Sequence, residues 1–143
     1  MNDTFVTLIG NVVSEVRTSV TGNGVPMARF RLGVSPRRFD REANQWVNRE
    51  SSYYTVVAWR RLAEHTMSSV EKGDPLVVAG RLCVREWQRD ERWHTSVDVE
   101  AYSLGHDLAR GTSQFTRAPR RESDAGHISV ARTESDSPRA RAA

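Results

Sequence analysis

Residues 51–62 read SSYYTVVAWRRL. At a period of two they divide into two rows. Tyr53, Thr55, Val57 and Trp59 form one row, and Tyr54, Val56 and Ala58 form the other. A strand with one face on a core and one in water alternates apolar with polar. Here both rows are large or apolar, and two arginines follow. One row suits a core, and the other must serve something else.

The flanking sequence supplies the frame. TFVTLIGNVVSE predicts a first strand over residues 4–15, apolar on both faces. TGNG at 21–24 predicts a tight hairpin turn. It has no helix after it and no lysine, so it does not read as a phosphate loop. Residues 25–35 predict a second strand, with Ala28, Phe30, Leu32 and Val34 inward and Arg29, Arg31 and Gly33 outward. A long loop is expected at 36–50, carrying Phe39 and Trp46 among Arg37, Arg38, Arg41 and Arg49. Loops of that length are often functional. SSYYTVVAWRRL then supplies the third strand.

Residues 61–72 predict a helix with a weak apolar stripe at Leu62, Thr66 and Ser69/Val70, stopped at Lys72-Gly73. A fourth strand is expected over 76–87. Leu76, Val78, Gly80, Leu82 and Val84 lie on one side of it, and Arg81, Cys83, Arg85 and Trp87 on the other. A fifth is expected over 93–103, with Trp93, Thr95, Val97, Val99 and Ala101 opposed to a polar row. Five strands with one helix between the third and fourth is the order of an all-β OB-fold barrel. Past about Asp107 the alternation stops, and residues 108–143 are expected to form a disordered, Arg- and Ser-rich tail. The expected division is therefore a domain at 1–107 and a tail at 108–143.

Composition narrows the function. The 143 residues can bury a core without disulfide staples. Cys83 is the one cysteine, so no internal disulfide can form and a reducing compartment fits. The start of the chain has neither a basic leader nor a long apolar run, so a soluble, cytoplasmic protein is expected. The net charge is +3, and all of it resides in residues 110–143, where seven arginines meet four acids. Residues 1–109 balance to zero. Anion binding by the folded part must then come from a local patch. Lys72 is the one lysine, so the other cations are arginines, which stack on planar groups and fork onto phosphates.

If Val56, Ala58, Leu82 and Val84 fill the barrel, Tyr53, Trp59 and Trp87 stand outside it. Trp87 shares its face with Arg81 and Arg85, and Phe39 sits in an arginine-rich loop. Exposed aromatics interleaved with arginines form a stacking surface for unpaired bases. The competing use of such rings is burial in a core or a subunit interface.

Over residues 3–105 the chain resembles the bacterial single-stranded DNA-binding protein family, SSB. The matching stretches are VTLIGNV at 6–12, SSYYTVVAWRRLAE from Ser51, EKGDPLVVAGRL at 71–82 and REWQ at 85–88. The resemblance implies an OB-fold homotetramer that wraps single-stranded DNA without sequence choice, needs no cofactor or metal and sits on the nucleoid. It puts the stacking positions on Phe39, Tyr53, Trp59 and Trp87. Its phosphate-contacting cations fall on Arg37 or Arg38, Arg61, Lys72 and Arg85, and a subunit contact falls on Tyr54. The family ends in an acidic tip that recruits other enzymes. This chain ends SDSPRARAA, so it resembles an auxiliary paralogue without that tip, which leaves a mixed oligomer with a main paralogue open.

Three other readings share parts of the pattern. An enzyme is disfavoured, because His65, His94, His106 and His127 lack metal-ligand spacing and no nucleophile or Walker motif occurs. An OB-fold adaptor of the primosome type would use the same aromatics for a protein partner. RNA remains open as a ligand, since stacking tolerates either sugar. Cys83 reads as a free thiol, with pairing to its copy across a two-fold axis as the alternative.

Overall fold

A computed structural model describes residues 2–48 and 50–120; the side chains of Arg38 and Asn48 are outside the description. Strand β3, Pro26–Val34, shows how the sequence drives the fold. Its alternation sends Ala28, Phe30 and Leu32 into the interior and Arg29 and Arg31 outward. It is joined to β2, Arg17–Val20, through the expected turn, in which the Gly24 amide donates to the Thr21 carbonyl oxygen. Gly24 has φ +80, a conformation that favours glycine.

Strand β1 spans Thr4–Val12, β6 Ser52–Trp59, β7 Pro75–Arg89 and β8 Arg92–His106. With β3 they close a ring in the order β1–β7–β8–β6–β3, returning to β1. Among the described residues the one parallel pairing is β6 with β8, from Thr55↔Asp98 to Val57↔Glu100. Phe30, Leu32, Val56, Leu76, Val78 and Val99 pack together inside. Helix α1, Arg60–Ser69, lies between β6 and β7, and its Ala63 packs against Ala28 and Ala58. Three small residues let the helix sit close against the strands. None of the described helices is long and apolar enough to cross a membrane.

The ring closes at a narrow seam, Asn11↔Gly33 and Val12↔Leu32. A Cβ on Gly10 would clash with the Gly33 carbonyl oxygen. Gly10→Ala is therefore expected to push β1 off β3 and cost roughly 1–3 kcal/mol, as overpacking does. A urea denaturation midpoint measures it, and an unchanged midpoint would mean the seam is looser than it looks.

Three expectations need correction. The stretch 36–50 is not a plain loop: β4, Arg37–Asp40, pairs with β5, Gln45–Asn48, in a short hairpin. Val84 is exposed rather than interior, because β7 and β8 run on beyond the barrel as a two-stranded arm and leave its core-side face uncovered. Gly33 is buried although it points outward, since Val13 and the Tyr53 ring cover it. In the polar row of the fifth strand, Asp98 is buried. A first unit ends at Thr112 and a second begins at Ser113. Residues 113–120 of the second carry no helix or strand, and the Arg117 guanidinium lies 5.7 Å from the Phe115 ring. The rest of the expected tail, 121–143, lies outside the described residues.

Candidate nucleic-acid interface

The outward row of β6 meets its neighbours in a continuous sheet face. On one side Gly33, Arg31 and Arg29 of β3 stand opposite Tyr53, Thr55 and Val57. On the other, Asp98 and Glu100 of β8 stand beside Thr55 and Val57. Arg81, Cys83, Arg85 and Trp87 of β7 pair in turn with Glu100, Asp98, Ser96 and His94.

This face is unevenly covered. Thr55 and Val57 are only 9% and 8% exposed, whereas Tyr53 is 51% exposed. Arg31 accounts for part of the cover: its Nη1 donates to Thr55 Oγ1 at 2.9 Å, and its Cζ lies 5.9 Å from the Tyr53 ring centroid. A guanidinium over a ring at that distance is a cation–π contact. Trp59 is partly buried rather than fully outside, opposite Met27 at the start of α1. Trp87 is 43% exposed and stacks on His94, with centroids 5.6 Å apart and planes at 22°.

The β4–β5 hairpin pairs two rings that the sequence places in one loop without pairing them. Phe39 and Trp46 are direct cross-strand partners in edge contact at 5.5 Å. Phe39 is 40% exposed and Trp46 more so. Trp46 was legible only as a loop aromatic, and the pairing was hidden because neither short strand alternates apolar with polar. Arg37 and Arg41 are exposed on the same hairpin.

The cations differ in how free they are. Arg85 Nε is 2.9 Å from Asp98 Oδ2, and Ser96 Oγ also donates to Asp98, at 2.6 Å. Arg81 bonds Glu100 at 2.7 Å, and that hydrogen bond holds its pKa above the ordinary arginine value. Arg61 is partly buried in α1 and Lys72 is exposed in the turn after it. Tyr54 packs against the barrel core from its edge. Cys83 is a partly exposed free thiol. No cluster of three His, Cys, Asp or Glu side chains able to hold a metal occurs among the described residues.

The model of the single-strand binding protein family matches residues 3–106. Single-stranded DNA-binding protein 1 of Streptomyces coelicolor is 44% identical over 122 residues, covering 85% of this chain and 78% of that one. Single-stranded DNA-binding protein 2 of Streptomyces avermitilis is 42% identical over 134 residues, covering 94% and 84%. The crystal structure of a small single-stranded DNA-binding protein from Streptomyces coelicolor superposes with a TM-score of 0.71 at 42% identity, covering 78% of this chain and 100% of that one. A match that spans every strand of the closed barrel and its helix leaves one conclusion: the chain belongs to the single-strand binding protein family.

Proposed function

We propose that this protein is a non-enzymatic binder of single-stranded DNA, without sequence choice. Bases stack on Phe39, Tyr53, Trp59 and Trp87, and Arg37, Arg38, Arg61 and Arg85 contact phosphates. The observation that carries this reading is the half-exposure of Tyr53 and Trp87 on one sheet face beside arginines. A buried ring would be core, and a lone exposed ring would be unremarkable. Rings on both sides of β8, with Arg31 and Arg85 alongside, suit a strand of splayed bases. Each stacked base contributes about 1–3 kcal/mol, so a domain of zero net charge needs few phosphate contacts to hold DNA.

The working form is an oligomer, for which a homotetramer is our reading, in the cytoplasm on the nucleoid. Phe5 and Tyr102 touch edge-on at 6.2 Å on the outward face of β1 and β8, and both are exposed, as is Ile9. Contiguous exposed apolar groups of this kind mark association surfaces. Tyr54, partly buried against the core, is a further contact in this reading.

Titration of tryptophan fluorescence with oligo(dT), against duplex of equal phosphate count, tests the function. Strong quenching by dT that survives moderate salt, with little change on duplex, is expected. Equal, salt-labile binding to both, or no quenching by dT, would sink the stacking reading and favour a protein-adaptor role. Oligo(rU) in the same assay measures how far a 2′-hydroxyl is tolerated.

A further inference from the structure

The outward face carries a buried acid at its centre, an unexpected place for one on a surface that binds a polyanion. Asp98 stands beside Thr55 of β6 and opposite Cys83 of β7. It is 9% exposed. Both of its carboxylate oxygens are engaged: Oδ2 lies 2.9 Å from Arg85 Nε, and Oδ1 accepts from Ser96 Oγ at 2.6 Å. A buried carboxylate stripped of its partner is strongly destabilising, so the pair stays closed when a ligand arrives. Arg85 is not used up by it. Its side chain is 60% exposed, and the bond to Asp98 takes one of five guanidinium N–H donors. Neighbouring cations are placed differently. Arg31 is held by the Thr55 hydroxyl and the Tyr53 ring, and Arg17 stands opposite Arg29.

We propose that Asp98 is a positioning residue that makes the Arg85–phosphate contact electrically neutral, and so sets the salt tolerance of single-strand binding. This rests on the stacking function above, in which Arg85 contacts phosphate, and deepens it. A lone cation that meets a phosphate displaces a counterion from the DNA, and salt erodes the gain from that release. Arg85 and Asp98 together carry no net charge, and a partly buried pair is screened far less than exposed charges are. A phosphate oxygen accepting from the outer N–H groups of Arg85 gains hydrogen bonds without displacing a counterion. Ser96 holds the carboxylate from its other oxygen, which anchors the guanidinium at its Nε edge. Binding then leans on base stacking, which carries no charge, and a ligand that offers phosphates alone gains little from this contact.

The test is the slope of log K against log salt for oligo(dT), measured on the full chain and on D98N, S96A and R85Q/D98N. Each phosphate contact by an uncompensated cation on a single strand contributes about 0.7 to that slope. D98N frees the Arg85 charge, so its slope should steepen by about 0.7, which is about 5-fold tighter binding at 0.1 M salt and vanishes toward 1 M. S96A removes a hydrogen bond and no charge, and should keep the parental slope. R85Q/D98N removes the pair as a neutral whole: it should bind more weakly with the slope unchanged, and it decides the matter where D98N fails to fold. A slope lower by about 0.7 in R85Q/D98N would show that Arg85 displaces a counterion in the parent, and the proposal would fall. A parental slope in D98N, or an equal change in D98N and S96A, would also overturn it. In each of these cases dT still quenches the tryptophans and the stacking function stands. If the parent chain fails to bind dT at all, the stacking function falls first and the role of Asp98 with it.

Discussion

Replacing Phe30 with alanine is expected to cost about 3–5 kcal/mol, the range for emptying an aromatic site in a packed core. Domains of this size are stable by about 5–15 kcal/mol in all, so the change should consume a large share of the margin. Phe30 lies at the middle of β3, is 1% exposed and pairs with Val56 across the ladder. Leu32, Val78 and Val99 share its cluster. Urea denaturation followed by circular dichroism reads the loss as a lower midpoint with an unchanged slope. Phe39→Ala is the control: the same residue type, on the exposed β4–β5 hairpin, should leave the midpoint within about 0.5 kcal/mol, as surface changes usually do. Equal effects at both positions would mean the barrel does not close around Phe30.

The contrast between these two phenylalanines also marks what the sequence discloses. Phe30 lies in a row of four apolar residues at period two, and its burial follows from that pattern. TGNG fixes the hairpin, and once the turn is fixed the register that sets Arg17 against Arg29 follows by counting outward. The β4–β5 hairpin had no such signal. Its strands are four residues long, and its turn, Arg41–Asn44, has no glycine; Asn44 takes the positive φ instead. Val84 failed for a different reason. Its parity is right, but parity says which face a side chain is on and not where the barrel beneath that face ends. Thr55 and Val57 likewise have the outward parity expected of them. They are covered because β6 is flanked by β3 and β8, and Arg31 folds back over Thr55. Such cover is a tertiary fact. The candidate site was therefore legible as a set of rings and arginines, and illegible in which arginines the acids of β8 would pair with.

Trp87→Ala should weaken oligo(dT) binding by about 5- to 150-fold, the equivalent of about 1–3 kcal/mol for one stacked base. The fold should not suffer, because Trp87 stands on the β7–β8 arm, beyond the buried cluster. The turn at the arm's tip is set by Asp90 and Glu91, both at positive φ, and not by the tryptophan. Its partner His94 forms the second half of the platform, so Trp87→Phe should retain most of the affinity by keeping a ring on that stack. The arm also supplies its own control. Trp93 pairs with Gln88, one step along the ladder from Trp87 and His94, and so faces the opposite side. At 70% exposed it is the more accessible of the two. If exposure alone governed binding, Trp93→Ala would do the greater damage. If the outward face of the sheet governs it, Trp93→Ala should leave the dissociation constant unchanged while Trp87→Ala raises it. Anisotropy of labelled oligo(dT) at moderate salt separates the two, and an intact affinity in Trp87→Ala would hand the aromatic face to a protein partner.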